Sequence, residues 1–237
     1  MQRADDSVVV ISAVAHRERP YPERVARTSL TRLPEKASRD RAQLDALLDE
    51  SRIGHVGFVV DGGPVVIPTA IARDGDRLLA HGSTGSRWMR TLAGGAPASV
   101  AVTALDGLVL ARSAFESSMH YRSAVLFGTF STLTDPDERL RALDLLTESL
   151  LPGRLPEVRR PSTKELAATL VLTMPIDEWS LKVSDGWPED PPEDVAGDAW
   201  AGVVPLHQSW GEPLAAPDLR PGIAVPTSVQ TLRATPS

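Results

Sequence analysis

The pattern of apolar residues first becomes regular well inside the chain, where it has the period of a helix. Leu44, Leu47 and Leu48 fall on one face of the segment 38–50, as expected for an amphipathic helix packed on a core. Ser38 stands at the start of this segment and is of a residue type that commonly caps helix N-termini. We therefore predict a helix over 38–50 with Ser38 as its N-cap.

Beyond this helix the pattern changes to β-type runs separated by short turns. The run at 55–60 ends in Asp-Gly-Gly at 61–63, and Asp-Gly between two β-rich runs is a strong hairpin signal. A second turn at 74–76 precedes the run RLLAHG, so 55–82 is predicted to be a three-stranded antiparallel meander. Pro68 interrupts the middle strand. Because proline cannot donate to a sheet ladder, it predicts a bulge or a strand edge left open for a ligand.

The rest of the chain continues as strands with a few helices. The segment 83–95 predicts a short helix closed by a glycine pair, and 98–112 predicts one long strand with a bulge or bend at Asp106-Gly107. The segment 134–151 has the period of an amphipathic helix and acidic residues in its first turn. Further β-type runs are AVLFGTFSTL, which follows a polar stretch, and then ATLVLTMPI and EWSLKVS.

These elements define a fold class and a division of the chain. Six or more strands at short intervals, with hairpin turns and few helices, predict a mainly β protein of the α+β type, an antiparallel barrel with peripheral helices. Strands and helices do not alternate regularly, which disfavours a doubly wound parallel sheet. We divide the chain into a flexible N-terminal arm at 1–34, a barrel domain at 35–206, and an extended C-terminal tail at 207–237 whose composition predicts little order.

Composition and charge narrow the possible functions. The 237 residues carry a net charge of −6, whereas a general nucleic-acid-binding protein shows a concentrated basic face. The chain has no cysteine, which excludes disulfide frameworks, thiolate metal sites and cysteine nucleophiles, and fits a cytoplasmic location. No apolar run approaches the length of a membrane span. We therefore expect neither nucleic acid nor a membrane as a partner.

The densest candidate chemistry lies in AHGSTGSRWMR, residues 80–90. A strand is predicted to end at His81 and a helix to begin near Ser83, so helix N–H groups and two arginines, Arg87 and Arg90, could meet an anion there. This pattern favours a phosphate site, but a capped helix with exposed arginines explains the same residues equally well. It matches neither a Walker motif, nor the dinucleotide fingerprint, nor a nucleophile elbow.

Other polar residues give weaker signals. No pair of histidines has the spacing of metal ligands, so no metal site is expected. The lone histidines considered are His55, His81, His120 and His207. Arg122 lies just before a predicted strand and could either bind an anion or form a salt bridge. The acidic run at 189–198 is interpreted as a solvated loop, and Trp200 as a packing residue.

Three segments carry a resemblance to a known family. They are HVGFVVDGGPVVIPTAIARDGDRLLAHGSTGSRWMR, VTALDGLVLARSAFESSMHYRSAVLFG, and KELAATLVLTMPIDEWSLKV with the later WAGVVPL. In this order they resemble the flavin-binding split-barrel proteins of the pyridoxamine 5′-phosphate oxidase superfamily, most closely its nitroimidazole-reductase-like (Nim) branch. The resemblance covers roughly 35–206. It implies a six-stranded antiparallel FMN-binding split barrel that forms a homodimer, with two flavin sites at the interface.

The resemblance also implies roles for individual residues. It places four residues along the flavin ring edge, namely Val66, Ile67, Pro68 and Thr69, and it places His81 and Gly82 beside the ring or the ribityl chain. Ser86 and Arg87 would hold the 5′-phosphate, with Ser83 as a helper. Tyr121 and Arg122 of a second chain would approach the ring or the phosphate. Trp200 would also come near. Glu116 and Ser117 stand where the branch commonly has two histidines. His120 replaces an asparagine, and Lys182 lacks the basic residue that commonly follows. These departures bear on substrate chemistry more than on flavin binding.

The resemblance implies an FMN-dependent oxidoreductase that reduces an electron-poor small molecule, such as a nitroaromatic, a quinone or a heterocycle. In such enzymes the cofactor carries the chemistry and the protein supplies binding and orientation. His81 is the only candidate for a catalytic acid or base. The alternatives are a non-catalytic flavin- or haem-binding protein, with FAD as another flavin, and a deazaflavin-dependent reductase. The missing basic groups disfavour a polyglutamylated deazaflavin, whose acidic tail favours basic surfaces.

Overall fold

The computed structural model describes residues 27–234, so most of the arm predicted at 1–34 lies outside the described residues. Within the described part of the chain, ten strands form a single sheet. The strands are β1 Ala37–Ser38, β2 Ile53–Val60, β3 Gly63–Asp74, β4 Arg77–Ser83, β5 Pro97–Leu110, β6 Ser118–Thr129, β7 Ser131–Thr132, β8 Thr169–Pro175, β9 Glu178–Ser184 and β10 Gly202–Pro205. The helices are α1 Arg41–Glu50, α2 Arg87–Ala93, α3 Pro136–Leu150, α4 Thr163–Ala167, α5 Pro192–Val195 and α6 Thr227–Ala234.

The sheet is antiparallel at every ladder. Its strand order is β1-β9-β6-β5-β2-β3-β4-β8-β7, and β10 adds to β5. This path does not return to its first strand, so the sheet is an open barrel. The prediction of a mainly β, α+β fold with peripheral helices is confirmed. The described sheet has ten strands and not six, partly because the short ladders of β1, β7 and β10 extend it.

Helix α1 has the predicted buried face but a different beginning. Its three leucines at 44, 47 and 48 are fully buried or nearly so. The helix begins at Arg41, and the carboxylate of Asp40 caps it by accepting a hydrogen bond from the Ala42 amide at 2.9 Å. Ser38 as N-cap is therefore wrong. Ser38 is instead paired with Leu181 in the ladder between β1 and β9, a contact distant in sequence.

The two predicted hairpins are confirmed and form the meander β2-β3-β4. At the first turn Asp61 and Gly62 have φ values of 52° and 78°. Positive φ at both central residues is the geometry of a type I′ turn, whose twist matches that of the strands. At the second turn Gly75 has a φ of 59°, which glycine adopts without steric cost. These turns fix the register of β2, β3 and β4.

The long strands β5 and β6 carry the predicted irregularity. The register between them shifts from Leu105 to Gly107, so the expected bulge at Asp106 is present. A Cβ atom at Gly107 would lie 2.8 Å from the carbonyl oxygen of Val204, so glycine here allows β10 to approach β5. Strand β6 begins at Ser118 and includes polar residues that were predicted to precede it.

The core lies between one face of the sheet and helices α1 and α2, and a second apolar cluster lies under α3. The opposite face of β2, β3 and β5 is only partly covered within the described chain, by the C-terminal region. Large apolar side chains on this face are strongly exposed, among them Ile53, Val59 and Val66. Contiguous exposed apolar surface of this kind commonly marks an interaction site. No helix within residues 27–234 is long and apolar enough to cross a membrane.

The C-terminal region is more ordered than its composition predicts. Ser228 of α6 is buried, and both its amide and its hydroxyl donate to the carboxylate of Glu157. The acidic run at 189–198 is not wholly a solvated loop either. The Asp190 side chain is buried and accepts hydrogen bonds from the amide and guanidinium of Arg112, at 2.7 and 2.9 Å. Specific polar pairs therefore hold both segments against the barrel.

Candidate functional site

The sheet splits between β3 and β4. Strand β3 pairs with β2 from Gly63 to Ala70 but with β4 only from Ile71 to Asp74. On its other edge β4 pairs with β8 over its whole length, whereas residues 81–83 have no ladder towards β3. Within the described residues, the second edge of β3 at residues 66–69 therefore has no strand beside it. This is the open strand edge that the proline predicted.

The four residues predicted along a flavin ring present mainly backbone at this split. Val66 is 62% exposed and Pro68 is also exposed, both on the open sheet face. Ile67 and Thr69 are half-buried on the other side, where Ile67 packs against the core. Pro68 makes no bulge with β2, since the register continues unbroken through its pairing with His55.

His81 lies near the end of β4, across the split from β3. Its ring is half-buried, and its Nδ1 atom is buried without a hydrogen-bond partner in the described structure. Burial lowers the pKa of His81, because the charged imidazolium would lose its hydration. The ring is therefore neutral at pH 7. A buried polar atom without a partner is unusual and fits a site that a ligand completes.

Gly82 allows α2 to pack closely on β4. A Cβ atom there would lie 2.9 Å from Cγ and 3.1 Å from Sδ of Met89, which is fully buried. We expect Gly82→Ala to lower the free energy of unfolding by about 1–3 kcal/mol through overpacking. Gly85→Ala is the matched control, because its Cβ would make only an ordinary contact at 3.5 Å. Denaturant titration of both variants is the measurement; equal losses would contradict this assignment.

The loop after β4 differs from the predicted helix start near Ser83. Helix α2 begins at Arg87, with Ser86 as its N-cap. The loop amides are already used: Gly85 donates to the Ser83 hydroxyl at 3.2 Å, Ser86 to the Ser83 carbonyl at 3.0 Å, and Thr84 to the carbonyl that precedes β8 at 2.9 Å. The Ser86 hydroxyl makes no capping bond. This hydroxyl, the Arg87 guanidinium and the first-turn amides of α2 are therefore the groups that could meet an anion.

Arg87 reaches from α2 to the β2–β3 turn. Its guanidinium donates to the carboxylate of Asp61 at 2.6 Å, and both side chains are largely exposed. Exposed ion pairs contribute little to stability, so a phosphate could displace Asp61 at small cost. This ion pair could not be predicted from the sequence, because Arg87 and Asp61 lie on different elements of the structure.

Tyr121 and Arg122 lie on β6, with β5, β2 and β3 between them and β4. Arg122 binds the carboxylates of Asp106 and Glu50, which raises its pKa. Within one chain these two residues therefore do not join the loop after β4. Trp200 is also 65% exposed and contacts Gly202. Their approach to a flavin from a second chain remains a prediction.

Sequence reasoning missed a second feature, a groove of about 830 Å³ on the open sheet face. It lies between the end of α1, strands β2 and β5, and the C-terminal region that includes α6. His55 is in its lining. No sequence signal indicated this groove, because its walls come from segments far apart in the chain.

The open antiparallel barrel with a split beside β3 is the architecture of a family of split-barrel proteins. The family model described as pyridoxamine 5′-phosphate oxidase matches residues 40–183. This chain therefore belongs to the pyridoxamine 5′-phosphate oxidase-like family.

Two solved structures are similar over most of the chain. The FAD- and haem-binding protein from Mycobacterium smegmatis shares 54% identity over 84% of this chain and 97% of its own, with a TM-score of 0.81. The flavocytochrome Anf3 from Azotobacter vinelandii shares 34% identity over 88% of this chain and 97% of its own, with a TM-score of 0.82.

A more distant similarity concerns the fold alone. A putative 5-nitroimidazole antibiotic resistance protein from Bacteroides thetaiotaomicron shares 20% identity over 62% of this chain and 86% of its own, with a TM-score of 0.53. No curated protein matches the chain. The two structures that are similar over more than four fifths of this chain are thus described as an FAD- and haem-binding protein and as a flavocytochrome.

Proposed function

We propose that this protein binds FAD in the split between β3 and β4 and also binds haem, and that it acts as an electron-transferring oxidoreductase of the flavocytochrome type. The observation that carries the proposal is the split itself, where β3 has an open strand edge and the neighbouring strand β4 carries His81, whose Nδ1 is buried without a partner in the described structure. The two relatives that cover most of this chain support the choice of cofactors, since one is an FAD- and haem-binding protein and the other a flavocytochrome.

The residues of the split fit a flavin in three ways. The backbone at 66–69 offers hydrogen-bonding groups to a planar ring edge, and His81 offers a neutral imidazole nitrogen that needs a partner. Ser86 and Arg87 offer a hydroxyl and a charge to a phosphate, with Ser83 next to them. A flavin supplies hydride and single-electron chemistry when bound. The protein's part is to position it and to keep His81 neutral beside it.

The choice of FAD departs from the FMN expected from the sequence. FAD carries a second phosphate and an adenosine, so it needs polar contacts beyond the Ser86-Arg87 pair. Arg90, exposed one helical turn further along α2, is available for such a contact. Deazaflavin remains the competing cofactor that the experiment below separates.

Reduction of an electron-poor small molecule is the second candidate function. The exposed apolar side chain of Val66 at the split favours it, because a flat aromatic acceptor could stack there beside the open edge of β3. A nitroaromatic, a quinone or a heterocycle would satisfy this chemistry. His81, on β4 across the split, is the candidate to hold or deliver a proton.

We also propose that the open sheet face is covered by a second copy of the chain. Val59 and Val66 are exposed on this face outside the groove, and a homodimer would bury them. Such a dimer would bring Tyr121 and Arg122 of the second copy towards the flavin site. It would then complete each site with residues from both chains.

The test is to identify what the full chain carries when purified. We expect a coloured protein whose absorption spectrum contains flavin and haem bands, and mass spectrometry of the released small molecules should find FAD. Release of FMN or deazaflavin would correct the cofactor. A colourless protein that is not stabilised by FAD, FMN or haem in a thermal melt would overturn the proposal.

A further inference from the structure

The groove on the open sheet face has the size of a small-molecule site. Its volume of about 830 Å³ lies in the upper part of the range of roughly 300–1,000 Å³ for ligand pockets. One wall is the outer face of β2 and β5, and the opposite wall is the C-terminal region, with apolar contributions from Leu206, Trp210 and Leu232. A flat, largely apolar ligand would therefore lie between sheet and tail.

A single imidazole projects from the sheet wall of this groove. His55 is exposed on β2 and makes no hydrogen bond or ion pair with any described residue. Its neighbours in the ladder are Pro68 on β3 and Ala101 on β5, whose side chains cannot hydrogen-bond to it. Both ring nitrogens are thus available to a ligand, and neutral imidazole is a common axial ligand of haem iron.

The charged groups around the groove leave one cation for an anionic ligand. The carboxylate of Asp49 pairs with Arg73, and those of Glu50 and Asp106 pair with Arg122. Each of these three carboxylates thus has a guanidinium partner, with Glu50 and Asp106 sharing one. An anionic ligand edge can therefore approach without an unpaired carboxylate facing it.

Arg52 is the remaining arginine of the lining. Its Nε donates to a backbone carbonyl at 3.3 Å, and its guanidinium stacks over Trp210 with 5.1 Å to the ring centroid. A guanidinium has five N–H donors, so most of its donors remain for a carboxylate. The groove thus combines apolar walls, one imidazole and a cation beside an aromatic ring, which is what a haem with its propionates requires.

We propose that this groove is the haem site and that His55 is an axial ligand of the iron, with Arg52 as a partner for a propionate. The inference rests on the proposed function, because the relatives supply the reason to consider haem, but it assigns the ligand from this chain's own structure. The other described histidines are placed less suitably. His120 already bonds the Gly186 carbonyl at 2.9 Å, and neither His81 nor His207 lines the groove.

The test is a haem titration of the purified full-length protein, followed by absorption spectroscopy. We expect His55→Gly to weaken haem binding at least about tenfold, a loss of the size seen when metal-site residues are removed. Added imidazole should restore the histidine-ligated spectrum in this variant. His55→Met should keep haem but change its spectrum, since a thioether replaces the nitrogen. His120→Ala and His207→Ala are matched controls that should bind like the unmodified protein.

Flavin content, measured in the same samples, separates the two proposals and reports on folding. If His55→Gly and His55→Met both keep haem with an unchanged spectrum, the ligand assignment is overturned while haem binding stands. If the unmodified protein takes up no haem, both the groove assignment and the haem part of the proposed function fall. Retained flavin would then show that the flavin part stands independently.

Discussion

Arg87→Ala is expected to weaken flavin binding by about 1.5–3 kcal/mol, the range for a hydrogen bond to a charged group. This corresponds to a loss in affinity of roughly ten- to a hundredfold. The reason is that Arg87 is the cation next to the Ser86 hydroxyl, and its present partner Asp61 is an exposed carboxylate that a phosphate can replace. Titration of the apoprotein with FAD, followed by flavin fluorescence, measures the change.

Two variants sharpen this test. Arg90→Ala removes an exposed arginine from the same short helix and should cost less, because Arg90 lies further from Ser86. Asp61→Asn removes the competing carboxylate and should leave affinity unchanged or improve it. Unchanged affinity in Arg87→Ala would show that the phosphate lies elsewhere, whereas an equal loss in Arg90→Ala would show that both arginines meet the phosphates of FAD.

Leu92→Ala is expected to have the largest effect on stability among the changes near the site, about 2–5 kcal/mol of the free energy of unfolding. Leu92 and Met89 are the buried residues of α2, so their contacts hold this helix against β4. Truncation leaves a cavity under the element that carries Arg87. Thermal and denaturant unfolding measure the loss.

Leu145→Ala on α3 is the matched control, since Leu145 is 39% exposed. It removes the same side-chain atoms but leaves no enclosed cavity, so its cost should be well below that of Leu92→Ala. Added FAD should raise the melting temperature of the unmodified protein more than that of Leu92→Ala. Equal stability of the two leucine variants would mean that α2 is not held by its buried face.

The parts of the fold that depend on local sequence were predictable. The Asp61-Gly62 turn fixes the β2–β3 hairpin through its own backbone preferences, and the leucine spacing fixes the buried face of α1. The cap of α1 was not predictable, because Ser38 and Asp40 are both good capping residues. Only pairing with β9, far along the chain, removes Ser38 from that role.

The predictions of where β6 starts and of little order in the C-terminal tail were wrong for related reasons. The polar residues from Ser118 onwards lie in a strand because β5 and β9 pair with it, although their composition is that of a loop. Likewise α6 is held by the pairing of Ser228 with Glu157, which sequence patterns do not reveal. In both cases non-local contacts outweigh local propensity.

The residues of the candidate site could be predicted only where the residues that carry the family resemblance follow one another in the sequence. The open edge at Pro68 and the segment from His81 to Arg87 belong to one hairpin and the loop after it, so one stretch of sequence contains them. The ion pair between Arg87 and Asp61 and the groove around His55 could not be predicted, because they depend on how distant segments meet. The haem proposal therefore arises from the structure together with its relatives.

The C-terminal wall of the groove has a consequence for the order in which the protein can assemble during synthesis. The strands on the two sides of the split, β3 and β4, are both paired on their outer edges once β8 has been made. The groove also requires Trp210 and α6, which leave the ribosome later. The flavin side can therefore form first on the nascent chain, whereas the His55 groove becomes enclosed only when synthesis is nearly finished.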